Sequence, residues 1–222
     1  MLSVDSEYQT LYVYAEPKPR HYKLAYRTLG KRVFDIFFSL LVTILVLSWL
    51  IPIIGFLIRL GSPGPVLYIQ KRTGYKGQWF YCIKFRTMTY SPEATFKQAT
   101  KGDNRVTSIG RILRKTNLDE MPQFLNVLIG DMSIVGPRPH AVQHDLLFWN
   151  NMPNYRKRYR VKPGITGLAQ VRGCRGETSH DMQMRHRITL DRFYIRKRSV
   201  WLDLKICWWT VESMMKGNEN AW

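Results

Sequence analysis

The chain has 222 residues, with 34 Lys and Arg against 16 Asp and Glu, and a formal net charge of +18. That length allows one domain plus extensions, and 45% hydrophobic residues suffice for a buried core. The charge calls for an anionic partner, whether nucleic acid, an acidic membrane face or phosphorylated substrates. The three scattered cysteines, Cys82, Cys174 and Cys207, offer no CxxC or zinc spacing and weigh against a disulfide scaffold.

In chain order, residues 1–30 read as a peripheral extension. From Arg20 to Arg32, Tyr22, Leu24, Tyr26 and Leu29 alternate with cations, which suits an interfacial helix. From Ile36 to Ile58 there is no charged residue, and roughly 20 apolar residues cross a bilayer core. This segment starts too late and ends too apolar for a cleavable signal peptide.

Its flanks are both basic: Lys18, Arg20, Lys23, Arg27, Lys31 and Arg32 before it, Arg59, Lys71, Arg72 and Lys76 after it. Positive flanks stay cytoplasmic, so a hairpin that enters and leaves on one face satisfies both. Pro52 removes a helical hydrogen bond and gives the bend a place. Ser48, one turn earlier, can satisfy a freed carbonyl. A kinked helix that spans the bilayer is the alternative.

GSPGP at 61–65 ends this element as a turn. VLYIQKR and QWFYCIKFRTM read as two short strands around Gly74–Gly77, and residues 89–104 as a polar loop. TSIGRILRKTN is helical, with Ile109, Ile112 and Leu113 on one face. DEMPQFLNVLIGD reads as a helix with Asp119 as N-cap, Pro122 in the first turn and Gly130 as stop. GPRPH at 136–140 is an extended turn, a helix follows from about Ala141 to Trp149, and KPGITG at 162–167 is a tight loop. In the last helical run Trp201, Leu204, Trp208, Val211 and Met215 share helical spacing. That face either lies on a bilayer or packs on the core.

Three clusters can carry chemistry. Asp119 and Glu120 stand at a helix start near Arg111, Arg114 and Lys115, where the dipole keeps a carboxylate ionised as nucleophile or metal ligand. The plain reading is an acidic N-cap. Arg138 is fixed between Pro137 and Pro139, and an aimed guanidinium suits a phosphate; otherwise this is a rigid surface turn. Lys84 and Arg86, two apart on a strand, form a cationic face fit for a diphosphate or a solvated edge. His140 and His144 share a predicted helix face, but with no carboxylate or cysteine evident nearby, metal ligation is not expected.

Together these stretches resemble the monotopic phosphoglycosyl transferases, also called bacterial sugar transferases. The matching segments are KRVFDIFFSLL, SPGPVLYIQKRTG, IKFRTM, IGRILRKTNLDEMPQFLNVLIGDMSIVGPRPH, YRVKPGITGLAQVRG and LDLKI, spread from Lys31 to Ile206. The run from Leu118 to Pro139 is the most specific. No N-terminal membrane bundle like that of larger members is present, so the chain looks like a minimal-core member.

The resemblance implies an α+β, mostly helical monotopic membrane protein with a re-entrant helix hairpin, interfacial amphipathic helices and a small β element. It divides the chain into an extension (1–30), a re-entrant membrane helix (31–60) and a cytoplasmic catalytic domain with an interfacial C-terminal helix (61–222). It places a catalytic dyad, which also serves the metal, on Asp119 and Glu120, with Mg²⁺ as cofactor. Phosphate-binding roles fall on Lys84, Arg86, Arg114 and Arg138, and the membrane-helix break on Ser48 and Pro52.

The partners implied are a UDP-sugar donor, undecaprenyl phosphate as acceptor and membrane lipids at the bacterial inner membrane. No nucleic acid is among them, and a homo-oligomer is compatible with the resemblance. Three positions depart from the family pattern. Ser48 is followed by Trp49 rather than proline, Leu168 replaces a usual Trp, and Arg172 replaces a frequent Asn. RGETSHDMQMRHRITLDRFYI resembles members that transfer hexose-1-phosphate, of glucose or galactose type.

The expected chemistry is ping-pong. Asp119 attacks the β-phosphate of the donor, UMP leaves, and the acceptor lipid phosphate takes the sugar phosphate from the enzyme. Glu120 would coordinate the metal or orient the dyad. The competing readings are a membrane-tethered basic module that binds acidic lipid or nucleic acid without catalysis, and a structural anchor of a polysaccharide complex.

Overall fold

A computed structural model of the chain describes residues 26–91, 99–100, 102–174 and 181–215. Most of the N-terminal extension, with most of the interfacial helix expected there, lies outside the described residues. So do positions 92–98 and 101 of the polar loop and 175–180 of the hexose-type stretch. The described part is mostly helical, with four short strands.

The first element is one long helix in three parts: α1 (Tyr26–Val42), a π-helical turn (Thr43–Leu47) and α2 (Ser48–Gly61). Its apolar stretch, Leu29–Gly61, runs 33 residues and is long and apolar enough to cross a membrane. A break is expected at Ser48 and Pro52. The helix continues through Pro52, and the irregularity lies upstream in the π turn. There the Ser48 hydroxyl donates to Ile44 O at 2.7 Å and the Trp49 indole N–H to Leu45 O at 2.8 Å. Side chains thus serve carbonyls that an irregular helix leaves poorly paired, and a π turn and a proline are both causes of bending.

One side of this helix exposes apolar residues along its whole length, including Phe37, Leu45, Phe56 and Leu60. The other side packs on the rest of the protein at both ends. In α1, Arg32 donates to the carbonyls of Val127 and Leu128, and Asp35 accepts from Ser133 Oγ and Ile134 N, both at 3.0 Å. In α2, Leu50, Ile54 and Ile58 join Phe85 and Leu113 in a second core.

The hairpin β1 (Leu67–Thr73) and β2 (Trp79–Phe85) pairs antiparallel with Tyr68 opposite Lys84. Helix α3 (Ser108–Thr116) starts at Thr107, whose hydroxyl accepts from Gly110 N at 3.0 Å. Gly110 must be glycine, because a Cβ there would sit 2.0 Å from Thr87 O. The helix stops at Asn117, whose φ of 56° is left-handed.

A single 3-10 turn, Leu118–Glu120, follows, and α4 runs Gln123–Ile129 to a left-handed Gly130. Asp119 is therefore not the N-cap of α4, as the sequence suggested. Pro122 holds that position and Asp119 lies in the turn before it. Buried Asn126 of α4 ties the helix to β2, donating to Tyr81 O at 2.7 Å and accepting from Ile83 N at 3.0 Å. That tie sets the height of Lys84, the next residue of the strand.

β3 (Ser133–Val135) pairs parallel with β4 (Gly164–Thr166), so KPGITG holds a strand rather than only the tight loop expected. The pairing is close enough that a Cβ on Gly164 would meet Gly136 N at 2.0 Å. The crossover contains α5 (Val142–Trp149) and a 3-10 segment, Tyr155–Arg160. The described part closes with α6 (Leu168–Val171), α7 (Asp181–Lys197) and α8 (Val200–Met215). In α8 the face marked by the tryptophans does not pack on the core; a different face does. Asp203 and Ile206 are buried, while Trp201, Trp208 and Met215 stand out to the exterior.

Candidate active site

β2, the 3-10 turn and the GPRPH segment meet at the carboxylate of Glu120, which is buried. Lys84 Nζ donates to Oε1. Arg138 donates through Nη1 to Oε2 at 2.9 Å and through Nη2 to Oε1. Burial opposes the Glu120 charge, but Arg138 and Lys84 outweigh it and hold the group well below the ordinary carboxylate range. The same burial pushes Lys84 down, against the opposing pull of Glu120.

Asp119 beside it is treated differently. It is half-buried at the wall of an open cleft of about 1380 Å³, and none of the described residues hydrogen-bonds its carboxylate. Burial raises its pKa to about 6. Lys84, Arg138 and Arg114 offset this only in part, and the neighbouring Glu120 charge adds to it. Two adjacent carboxylates thus hold distinct states, Glu120 fixed and ionised and Asp119 open and poised near neutral pH.

Arg114 reaches the same region from α3, its Nε donating to Thr87 Oγ1 at 2.9 Å. Arg86 borders the same cleft but is engaged elsewhere. Its guanidinium is buried and donates to the carbonyls of Ser62 and Pro63, holding the turn after α2. The expected Lys84–Arg86 phosphate face therefore divides: Lys84 serves the dyad and Arg86 the turn.

The aim of Arg138 comes from its backbone. Pro137 and Pro139 have no N–H, and each carbonyl from Pro137 to His140 is caught from a different direction. Pro137 O accepts from Gly164 N at 3.0 Å, Arg138 O from Arg158 Nη2 at 2.9 Å, Pro139 O from Arg72 Nη1 at 2.7 Å and His140 O from Thr73 N at 3.1 Å. Arg158 is itself buried and paired with Asp191 of α7 at 3.0 Å. Sequence reasoning missed Arg72, Arg158 and Asp191. Arg158 stands in the run YRKRYR, where nothing separates a buried cation from a solvated one. The one available signal was the scarcity of acidic residues, which makes Asp191 a conspicuous partner.

His140 precedes α5, so it does not share a helix face with His144 as expected, although their rings lie 4.8 Å apart. A carboxylate is also near, contrary to expectation: ligand atoms of His140, His144 and Asp145 lie within 4.8 Å of one another. They suit a metal poorly. Asp145 Oδ1 accepts from Tyr155 and Tyr159, and Arg158 Nη1 sits 2.7 Å from His140 Nδ1. Burial first, then Arg158 and Arg187, keep His140 well below its ordinary pKa; the same surroundings bring His144 down to about 4.

A magnesium ion takes one or two carboxylates and fills its shell with water and substrate phosphate. Asp119 fits that demand, since its oxygens are unclaimed and border the cleft. Glu120 is more constrained, since Lys84 and Arg138 take both sites on Oε1 and one on Oε2, leaving a metal only the remaining site on Oε2.

The structure thus sets a carboxylate pair among cations in a small α+β body, against which a long apolar helix docks. The chain belongs to the bacterial sugar transferase family, whose model matches residues 26–217.

It is 48% identical over 195 residues to a UDP-glucose:undecaprenyl-phosphate glucose-1-phosphate transferase of Caulobacter vibrioides, covering 87% of this chain and 72% of that protein. A Klebsiella pneumoniae protein of the same name is 49% identical over 82% of this chain, which spans only 39% of that relative's length. An exopolysaccharide production protein, PSS, of Rhizobium leguminosarum is 44% identical, with 82% of this chain and 94% of the relative covered.

Proposed function

We propose that this chain moves a hexose-1-phosphate, glucose-1-phosphate first among them, from a UDP-sugar to undecaprenyl phosphate. The reading would place it at the first membrane step of exopolysaccharide, capsule or O-antigen synthesis. The observation that carries it is the unequal pair: Glu120 tied to Lys84 and Arg138, and Asp119 free beside it in a cleft. The names of the relatives supply the substrate classes.

Asp119 acts as the nucleophile. An Asp119 oxygen bonds to the β-phosphorus of the donor as the bond from that phosphorus to the bridging oxygen breaks, and UMP leaves with the electron pair. The acceptor's phosphate oxygen then attacks the same phosphorus, and Asp119 leaves as carboxylate. Splitting the exchange in two lets one site serve two anionic partners in turn. Lys84, Arg138 and Arg114 offset the negative charge that gathers there. Glu120 is the counter-anion that keeps Lys84 and Arg138 in place. A bound Mg²⁺, held by Asp119 and the donor phosphates, would supply further charge neutralisation.

The long helix is read as re-entrant on the cytoplasmic face of the inner membrane, bent near its π turn and Pro52. Both of its halves pack on the same catalytic body, α1 through Arg32 and Asp35 and α2 through Leu50 and Ile58. A straight crossing would carry α2 away from that body. A basic binding module would display its cations, whereas here Lys84, Arg138 and Arg158 are turned inward onto carboxylates. Purified protein given UDP-glucose, Mg²⁺ and undecaprenyl phosphate should release UMP. Tight lipid binding without any UMP would leave the module reading standing.

A further inference from the structure

The cleft beside Asp119 reaches beyond the cationic cluster to the last helix. Cys207, Thr210, Val211 and Met214 of α8 all border it, and their spacing makes one stripe of a helix. Phe124 and Ile165 border it as well. The hydroxyl in the stripe is already satisfied: Thr210 Oγ1 bonds to Ile206 O and to Thr166 Oγ1, each at 2.7 Å. The α8 stripe therefore presents apolar atoms and a satisfied hydroxyl; beside it Gln170 donates to Ile165 O, and its Oε1, without a partner among the described residues, is buried.

It is also open at its far end. Val211 is 52% exposed and Met214 40%, and Trp208 on the same helix is 69% exposed. An apolar path thus runs from the outer face of α8 into a cleft that also holds Lys84, Arg114 and Arg138 beside Asp119.

We propose that this wall is the subsite for the isoprenyl chain of the acceptor. The acceptor phosphate sits at the cationic cluster, its first isoprene units lie on Phe124, Ile165, Cys207, Val211 and Met214, and the tail leaves past Trp208 into lipid. The assignment rests on the transfer reaction proposed above. It follows from complementarity: a hexose or a uracil needs several hydrogen-bond partners, which the α8 stripe does not offer, whereas an isoprenyl phosphate needs one cationic end and one apolar one.

The test uses the full chain in detergent micelles with UDP-glucose, Mg²⁺ and either undecaprenyl phosphate or geranyl phosphate. Val211→Asp and Met214→Asp should each raise the KM for undecaprenyl phosphate by about tenfold or more, while the burst of UMP with donor alone persists and reports an intact fold. Trp201→Asp, on the exposed face of α8 outside the cleft, should change that KM little.

In the unaltered protein, an isoprenyl phosphate carrying a photoreactive group near its phosphate should label the peptide that holds residues 207–214. Equal losses in all three variants would mean bilayer attachment only and would overturn the subsite. So would labelling confined to the outer face of α1 and α2, and this arm decides the matter if the aspartate variants do not fold. Absence of the donor burst in the unaltered protein would instead strike at the transfer reaction itself.

Discussion

Arg138 grips both oxygens of Glu120, yet Asp119, the adjacent residue, receives no hydrogen bond from any described residue. The 3-10 turn sends one carboxylate into the cationic cluster and leaves the other at the cleft wall. The predictions below depend on that asymmetry.

Asp119 is destabilising as it stands. A carboxyl whose folded pKa is raised contributes most to stability while protonated, and that contribution is lost as pH rises through the folded value, here about 6 against an unfolded value near 3.9. Asp119→Asn, neutral at every pH, should therefore raise thermal stability at pH 7.5 by about 1–2 kcal/mol while abolishing turnover. A variant both less active and less stable would mean that Asp119 supports the fold rather than the reaction.

The same value sets a pH profile. The nucleophile must be ionised, so the donor-only burst of UMP should fall on the acid side with a midpoint near 6. Glu120 behaves oppositely: its depressed pKa gives stability that is present above the unfolded value and lost only as pH falls through the folded one. As pH falls from 6 to 5 the rate should drop while the melting temperature rises, because protonation of Asp119 stabilises the fold and Glu120 stays ionised. Coincident loss of both would refute the separate roles.

Arg158 and Asp191 test the aim of Arg138. Arg158→Met leaves Asp191 buried without its partner, which costs about 3–5 kcal/mol. Adding Asp191→Leu should recover most of that stability, because replacing both members of a buried pair with apolar residues is close to neutral. Activity should not return, because Arg138 O has still lost the donor that fixes it. Full recovery of kcat in the double variant would show that the pair only stabilises the fold.

Much of this was legible in the sequence. The apolar run, the two strands around Gly74–Gly77 and the helices flanking Asp119 follow from periodicity and turn chemistry, and the structure has them near the expected bounds. Elsewhere local signals were overridden by contacts distant in the chain. KPGITG looks like a loop because β4 is three residues long and its partner lies far upstream. Pro52 marks a break by its own chemistry, but the helix takes up the irregularity in the preceding π turn, where Ser48 and Trp49 serve the carbonyls. Arg86 looks identical to Lys84 in the strand pattern, and only the position of the turn at Ser62 and Pro63 separates their tasks. The family resemblance points to Asp119 and Glu120, but which carboxylate is clamped and which is open depends on where Arg138 reaches.

The account depends most directly on a covalent phosphosugar held by one residue. Intact protein incubated with UDP-glucose and Mg²⁺ in the absence of acceptor, then quenched and mapped by mass spectrometry, should carry a hexose-phosphate on the peptide containing Asp119. The adduct should vanish on addition of undecaprenyl phosphate. No adduct at any time, together with UMP release only when donor and acceptor are both bound, would contradict it.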